Sequence, residues 1–167
     1  MNIEPLREPF ERRSYVVSLD EANLFTDVYG FVGRSGRVYL EGQLLRPTDR
    51  PAGTVLLFMH PSSSLALLPL PTALAQAGFH VLCCGSRYLR NDTPLIMEKV
   101  LLDMGAHVQH AREVLGYEHV VLAGWSGGGS LSLFYQAEAE QPTITDTPSG
   151  EPLDLAAAGL PPADAIL

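Results

Sequence analysis

The stretch His119-Val120-Val121-Leu122-Ala123-Gly124-Trp125-Ser126-Gly127-Gly128 sets the architecture of this chain. Val120 to Ala123 is apolar and opens on β-branched residues, the composition of a strand buried on both faces. Gly-x-Ser-x-Gly follows directly. This spacing puts a serine on a tight strand-to-helix turn, where glycines permit strained backbone angles and close packing of helix on strand. Residues 130–140 continue as a helix of about three turns, with Leu131, Phe134 and Tyr135 on one face. In that setting the Ser126 hydroxyl stands out from the carboxyl end of a sheet. The next amide, that of Gly127, points where an oxyanion would form. A glycine-rich turn that binds a phosphate or merely joins two elements is the alternative, and the strand before and helix after favour the nucleophile.

Working outward, residues 54–59 and 79–84 are short, continuously apolar runs, which read as buried strands. Residues 71–77 form a short helix, with Pro71 at its start and Gly78 just past its end. Thr93 before Pro94 reads as the cap of a second helix, which runs to about Leu115. Its apolar stripe is Ile96, Val100, Leu101, Met104, Val108, Ala111 and Leu115, and Gly116 ends it. Strand and helix thus alternate, which predicts an α/β fold: a mostly parallel sheet with helices on both faces. Residues 25–33 and 37–46 read as an edge hairpin around Arg34-Ser35-Gly36. Residues 141–162 are an irregular connection, and residues 163–167 begin a further strand. The expected organisation is an amino-terminal extension over residues 1–24 and part of one domain over residues 25–167, truncated within a strand. No internal repeat is present.

The 167 residues are one domain's worth of chain, and a hydrophobic content of 46% makes it globular. A net charge of −8, with only Arg12-Arg13 clustered, excludes nucleic acid and anionic membrane surfaces as natural partners. Residues 1–14 lack the apolar core of a signal peptide. Residues 51–86 carry no charged side chain, but prolines, Gly78 and the serines at 62–64 break them up, so no membrane span is expected. Cys83 and Cys84 are neighbours in a strand and point to opposite faces, which reads as two buried thiols in a cytoplasmic protein.

These residues resemble the amino-terminal half of an α/β-hydrolase-fold protein, over roughly residues 25–167. Three features carry the likeness: a hairpin before the strand 54–59, His60 at that strand's carboxyl end, and the turn from Gly124 to Gly129. The resemblance implies that the strand ending at His60 lies beside the strand ending at Gly124. It also implies an oxyanion hole with one amide from Gly127 and one from the loop after His60. Pro61 has no N–H, so Ser62, or Ser63 beside it, is the expected second donor. His60 is expected to brace that loop, with a general-base role as the outside alternative. Ser126 is then the nucleophile of a serine hydrolase acting on an ester, thioester or related small-molecule acyl substrate, with no cofactor and no metal.

Such a serine needs a base. His80 and His119 fall at the amino ends of their strands, about 16 Å from the opposite rim. His107 and His110 lie on the long helix, where their spacing suggests a metal pair that no carboxylate completes. Asp146, Asp154 and Asp164 follow the serine with no histidine to orient. The expectation is therefore a chain inactive by itself, whose catalytic histidine lies beyond Leu167. A non-catalytic binding or scaffold module that keeps the turn as architecture is the competing reading.

Overall fold

The computed structural model describes residues 10–20, 25–28, 31–34 and 36–167. In chain order the elements are β1 (Phe10–Asp20), β2 (Phe25–Val28), β3 (Phe31–Arg34), β4 (Arg37–Pro47), β5 (Thr54–Met59), α1 (Pro69–Gln76), β6 (Val81–Cys84), α2 (Met97–Glu113), β7 (His119–Ala123), α3 (Gly127–Glu140), α4 (Leu155–Ala158) and β8 (Ala165–Ile166). Six strands form one mixed sheet in the order β1-β4-β6-β5-β7-β8, and β2 and β3 form a separate two-stranded ladder. The β1–β4 and β4–β6 pairs are antiparallel, and the three remaining pairs are parallel.

Alternate residues of the central strands feed two cores. Leu57, Met59, Leu82, Cys84 and Leu122 pack beneath α2 and α3. Phe58, Val81, Cys83 and Ala123 pack beneath α1. Helices therefore cover both faces, as the alternation of elements predicts, and Cys83 and Cys84 do face opposite ways. Both are free thiols, and burial pushes both above the ordinary thiol range, Cys83 to about 12. The α2 stripe is buried as expected, from Val100 to Ala111.

Three sequence expectations need correction. The partner of β4 is β1, with Val17 opposite Leu40, so residues 10–20 of the expected extension are a strand of the main sheet. Residues 25–28 pair instead with residues 31–34, and residues 29, 30 and 35 of the expected hairpin lie outside the described residues. The pairing is long-range because Tyr15, Val17 and Leu19 present one side to Val38, Leu40 and the α2 layer. Thr93 does not cap α2: it sits in a turn closed by Leu95 N–H on the Asp92 carbonyl (3.1 Å), and the helix begins at Met97. The loop before it is anchored to Asp103 through Arg87, so residues 93–96 are spent in bringing the chain round. Helix α1 begins two residues early, at Pro69, with proline in its first turn.

Residues 141–162 are irregular but well anchored. The Glu138 carboxylate accepts from the Thr143 and Ile144 amides, Lys99 donates to Glu151 (2.9 Å), and Leu153 and Leu155 enter the core. The strand expected over residues 163–167 is present as β8. It is held through Asp164, whose carboxylate accepts from the Val120 amide and from Arg112, both at 2.8 Å. The Val120 hydrogen bond, then Arg112 and His119, hold this carboxyl at about 2, below its ordinary 3.8. A group depressed in the folded state contributes stability above its unfolded pKa and loses it as the pH falls toward the folded value. Acid titration of Asp164→Asn should therefore remove a loss of stability between about pH 4 and pH 2. Its size is under about 1 kcal/mol, because the pair is about one-third exposed.

Candidate active site

In an open α/β sheet, a ligand crevice forms beyond the carboxyl ends of strands whose following segments leave to opposite faces. Here those strands are β5 and β7. The segment after β5 leads to α1 on one face, and the segment after β7 leads to α3 on the other. The register puts Phe58 opposite Ala123, so His60 and Trp125 emerge side by side.

The turn after β7 is tight. Its Trp125 and Ser126 carbonyls accept from the Gly128 amide (2.8 Å) and the Gly129 amide (3.0 Å). Among the described residues the Gly127 amide has no partner, as suits the first residue of a helix. Ser126 is exposed, with φ 54° and ψ −126°, in a region that side chains rarely adopt. Such a residue costs about 1–3 kcal/mol. The surrounding backbone imposes it: a Cβ at Gly124 would lie 2.4 Å from the Gly129 Cα, and one at Gly128 2.3 Å from the Met59 carbonyl oxygen. The helix start is thus pressed against both strand ends, and Ser126 is what bulges out. Ser126→Gly should melt above Ser126→Ala by about 1 kcal/mol, because only glycine relieves the strain. Equal melting of the two variants would mean the strain is absent.

His60 faces this turn. A Cβ on Gly127 would lie 3.1 Å from His60 Nε2. Its other nitrogen, Nδ1, accepts from the Ser62 amide (3.2 Å) and the Ser63 amide (3.1 Å). Partial burial lowers the His60 pKa below its ordinary value. The loop after β5 is tied from a second side, since Ser86 Oγ donates to the Pro61 carbonyl and the Arg90 amide donates to the Ser62 carbonyl (2.8 Å). The amide expected to face an oxyanion, that of Ser62, is therefore turned onto His60. Sequence reasoning expected His60 to hold this loop, but not that the Ser62 amide would be one of the groups it holds. The one available signal was the short spacing of His60 from residues 62 and 63, which allows an imidazole to accept from its own loop.

The other histidines are engaged elsewhere. His80 Nε2 donates to the Arg50 carbonyl (2.7 Å), and its Nδ1 accepts from the Tyr117 hydroxyl (2.7 Å). His107 donates to the Gly85 carbonyl (3.0 Å) and accepts from the Tyr15 hydroxyl (3.3 Å), and burial pushes it down to about 4. His110 stacks on Tyr15. His119 pairs with Asp164 at the far rim, opposite Thr54. Among the described residues no group of three His, Cys, Asp or Glu side chains could hold a metal ion. No helix among them is long and apolar enough to cross a membrane. Trp125 stands half-exposed beside Ser126.

No protein-family model matches the chain, and neither does any curated protein. Solved structures do. Brefeldin A esterase, described as a bacterial homologue of human hormone-sensitive lipase, superposes with a TM-score of 0.53 at 20% identity, over 84% of this chain and 38% of its own. A bacterial heroin esterase gives 0.51 at 19%, over 81% and 41%. A peroxisomal α/β-hydrolase from Saccharomyces cerevisiae gives 0.52 at 16%, over 83% and 42%. The chain spans about two-fifths of the length of these proteins. Its strand order, its strand–turn–helix at Ser126 and these superpositions make it a chain of the α/β-hydrolase fold, present in part.

Proposed function

We propose that this chain carries the nucleophile of a serine hydrolase that acts on an ester, thioester or related small-molecule acyl compound. The observation that carries the reading is the strained, exposed Ser126 at the head of α3, beside the Gly127 amide, which has no partner among the described residues. Ser126 Oγ adds to the acyl carbon, and the carbonyl oxygen becomes an alkoxide facing the Gly127 amide. The C–O or C–S bond to the leaving group then breaks, leaving an acyl-enzyme that water hydrolyses. The proton of Ser126 goes to a base supplied from outside these residues. His60 is a poor candidate for that role, because its Nδ1 is already occupied by two amides. The solved structures that share the fold include esterases, which supports the reaction class.

The test is covalent capture. The protein made from the full reading frame containing these residues should be modified by a fluorophosphonate at Ser126, read by peptide mass spectrometry, and Ser126→Ala should not. Absence of modification in a folded sample would remove the acyl-transfer reading and leave the scaffold module in its place.

A further inference from the structure

Resting on that reading, we infer that the second oxyanion donor is the Nε2–H of His60, not a backbone amide of its loop. Hydrogen-bond direction carries the argument. A backbone N–H can only donate, and two of them, from Ser62 and Ser63, converge on His60 Nδ1 at 3.2 and 3.1 Å. Nδ1 is therefore an acceptor and carries no proton. A neutral imidazole with a bare Nδ1 bears its hydrogen on Nε2. That nitrogen lies against Gly127, the residue whose amide is the first donor, close enough that a Cβ there would sit 3.1 Å from it.

The Ser62 amide cannot easily serve instead. It belongs to the peptide unit that joins Pro61 to Ser62, and both ends of that unit are held. The Pro61 carbonyl accepts from the buried Ser86 hydroxyl, and the Ser62 N–H is on His60. The Ser62 carbonyl is held as well, by the Arg90 amide at 2.8 Å. Turning the N–H outward would break several of these bonds at once. Pro61 offers no N–H of its own. The loop amides thus set the tautomer of the ring, and the ring presents the donor. As Ser126 Oγ adds to the substrate carbonyl, the oxygen that receives the electron pair accepts from Gly127 N–H and from His60 Nε2–H. No proton is transferred, so the imidazole stays neutral throughout.

Two substitutions separate the two ends of the ring. His60→Asn keeps an acceptor near the Nδ1 position and loses the donor. His60→Gln keeps a donor near the Nε2 position and loses the acceptor. In the full-reading-frame protein, acyl transfer to Ser126 from an activated ester should fall about 100-fold in kcat for His60→Asn with KM little changed, the cost of one such donor. His60→Gln should retain the larger share of kcat. In a sample labelled with 15N-histidine, His60 should show an unprotonated Nδ1 and a protonated Nε2. A phosphonate adduct on Ser126 should move the Nε2–H proton downfield. An adduct that leaves this resonance unmoved, or a His60→Asn protein as fast as the parent, overturns the inference while Ser126 keeps its role. Failure to form any adduct in the folded parent protein overturns both.

Discussion

Gly128→Ala should destabilise the protein by roughly 3 kcal/mol, at the upper end of what overpacking costs, and lower its melting temperature by roughly 10 °C. The new methyl would lie 2.3 Å from the Met59 carbonyl oxygen, with the carbonyl carbon 3.4 Å away. No side chain can turn aside there, because the obstacle is the backbone of β5 at its carboxyl end. Either α3 lifts away from the sheet or Met59 and His60 move. Both displace the groups around Ser126, so fluorophosphonate capture should fall with stability. Gly129→Ala is the control within the same helix turn. A Cβ there meets nothing within 4 Å, and alanine is the better helix former by up to about 1 kcal/mol. Thermal melts of the two variants should therefore move in opposite directions. Parent-like melting of Gly128→Ala would mean that the helix start does not press on β5 as described.

The contrast between those adjacent glycines marks how far the sequence alone can be read. Spacing predicts that Gly124 and Gly128 matter, because both stand at fixed positions around Ser126. It does not say that Gly128 answers to a carbonyl some 70 residues away, or that Gly129 answers to nothing. The same division runs through the fold. Strands β5, β6 and β7 are legible because parallel strands under two layers of helix need continuous apolar runs, and glycine or proline punctuates them at Gly53 and Pro61, Gly78 and Gly85, and Gly116 and Gly124. The α2 stripe is legible because its period is local. Strand β1 was missed although its signal is there: Tyr15, Val17 and Leu19 alternate with Ser14, Val16 and Ser18. Local turn chemistry favours the nearest pairing, and the true partner of Asp20 is Arg37, across an intervening ladder in which Phe25 faces Arg34.

At the site, a position in a turn is easier to foresee than the direction of an amide. The strand–turn–helix that exposes Ser126 follows from five residues. The orientation of the Ser62 amide does not, because it depends on Ser86 and Arg90 in the loop after β6 and on which ring nitrogen of His60 faces inward. An oxyanion loop described only by its sequence position therefore names the donor by backbone count. In this structure the Ser62 amide is turned onto His60 Nδ1, and His60 Nε2 is set against Gly127.

A buried ion pair ties the loop after β6 to α2, and breaking it should have the second largest effect. Arg87 meets Asp103 on α2 through Nη2 (2.8 Å) and Nε (3.0 Å), and the Arg87 amide adds a bond to the same carboxylate (2.8 Å). The Asp103 side chain is fully buried and that of Arg87 nearly so, at 0% and 8% exposure. Asp103→Ala removes the carboxylate that the guanidinium meets through Nη2 and Nε in a site closed to water, and removing one member of a buried pair costs about 3–5 kcal/mol. The loss is greater than the worth of the pair, because attraction between two buried charges is largely cancelled by the cost of desolvating them. Arg87→Met combined with Asp103→Leu should therefore recover much of the stability lost in Asp103→Ala when the variants are compared by urea unfolding. It should not recover the site as fully. The Arg87 amide still loses its acceptor, and the segment that carries Ser86 and Arg90 to the Pro61–Ser62 peptide is then less firmly held. A double variant as unstable as Asp103→Ala would show that the pair contributes through attraction and not through the penalty of removing one of its two members.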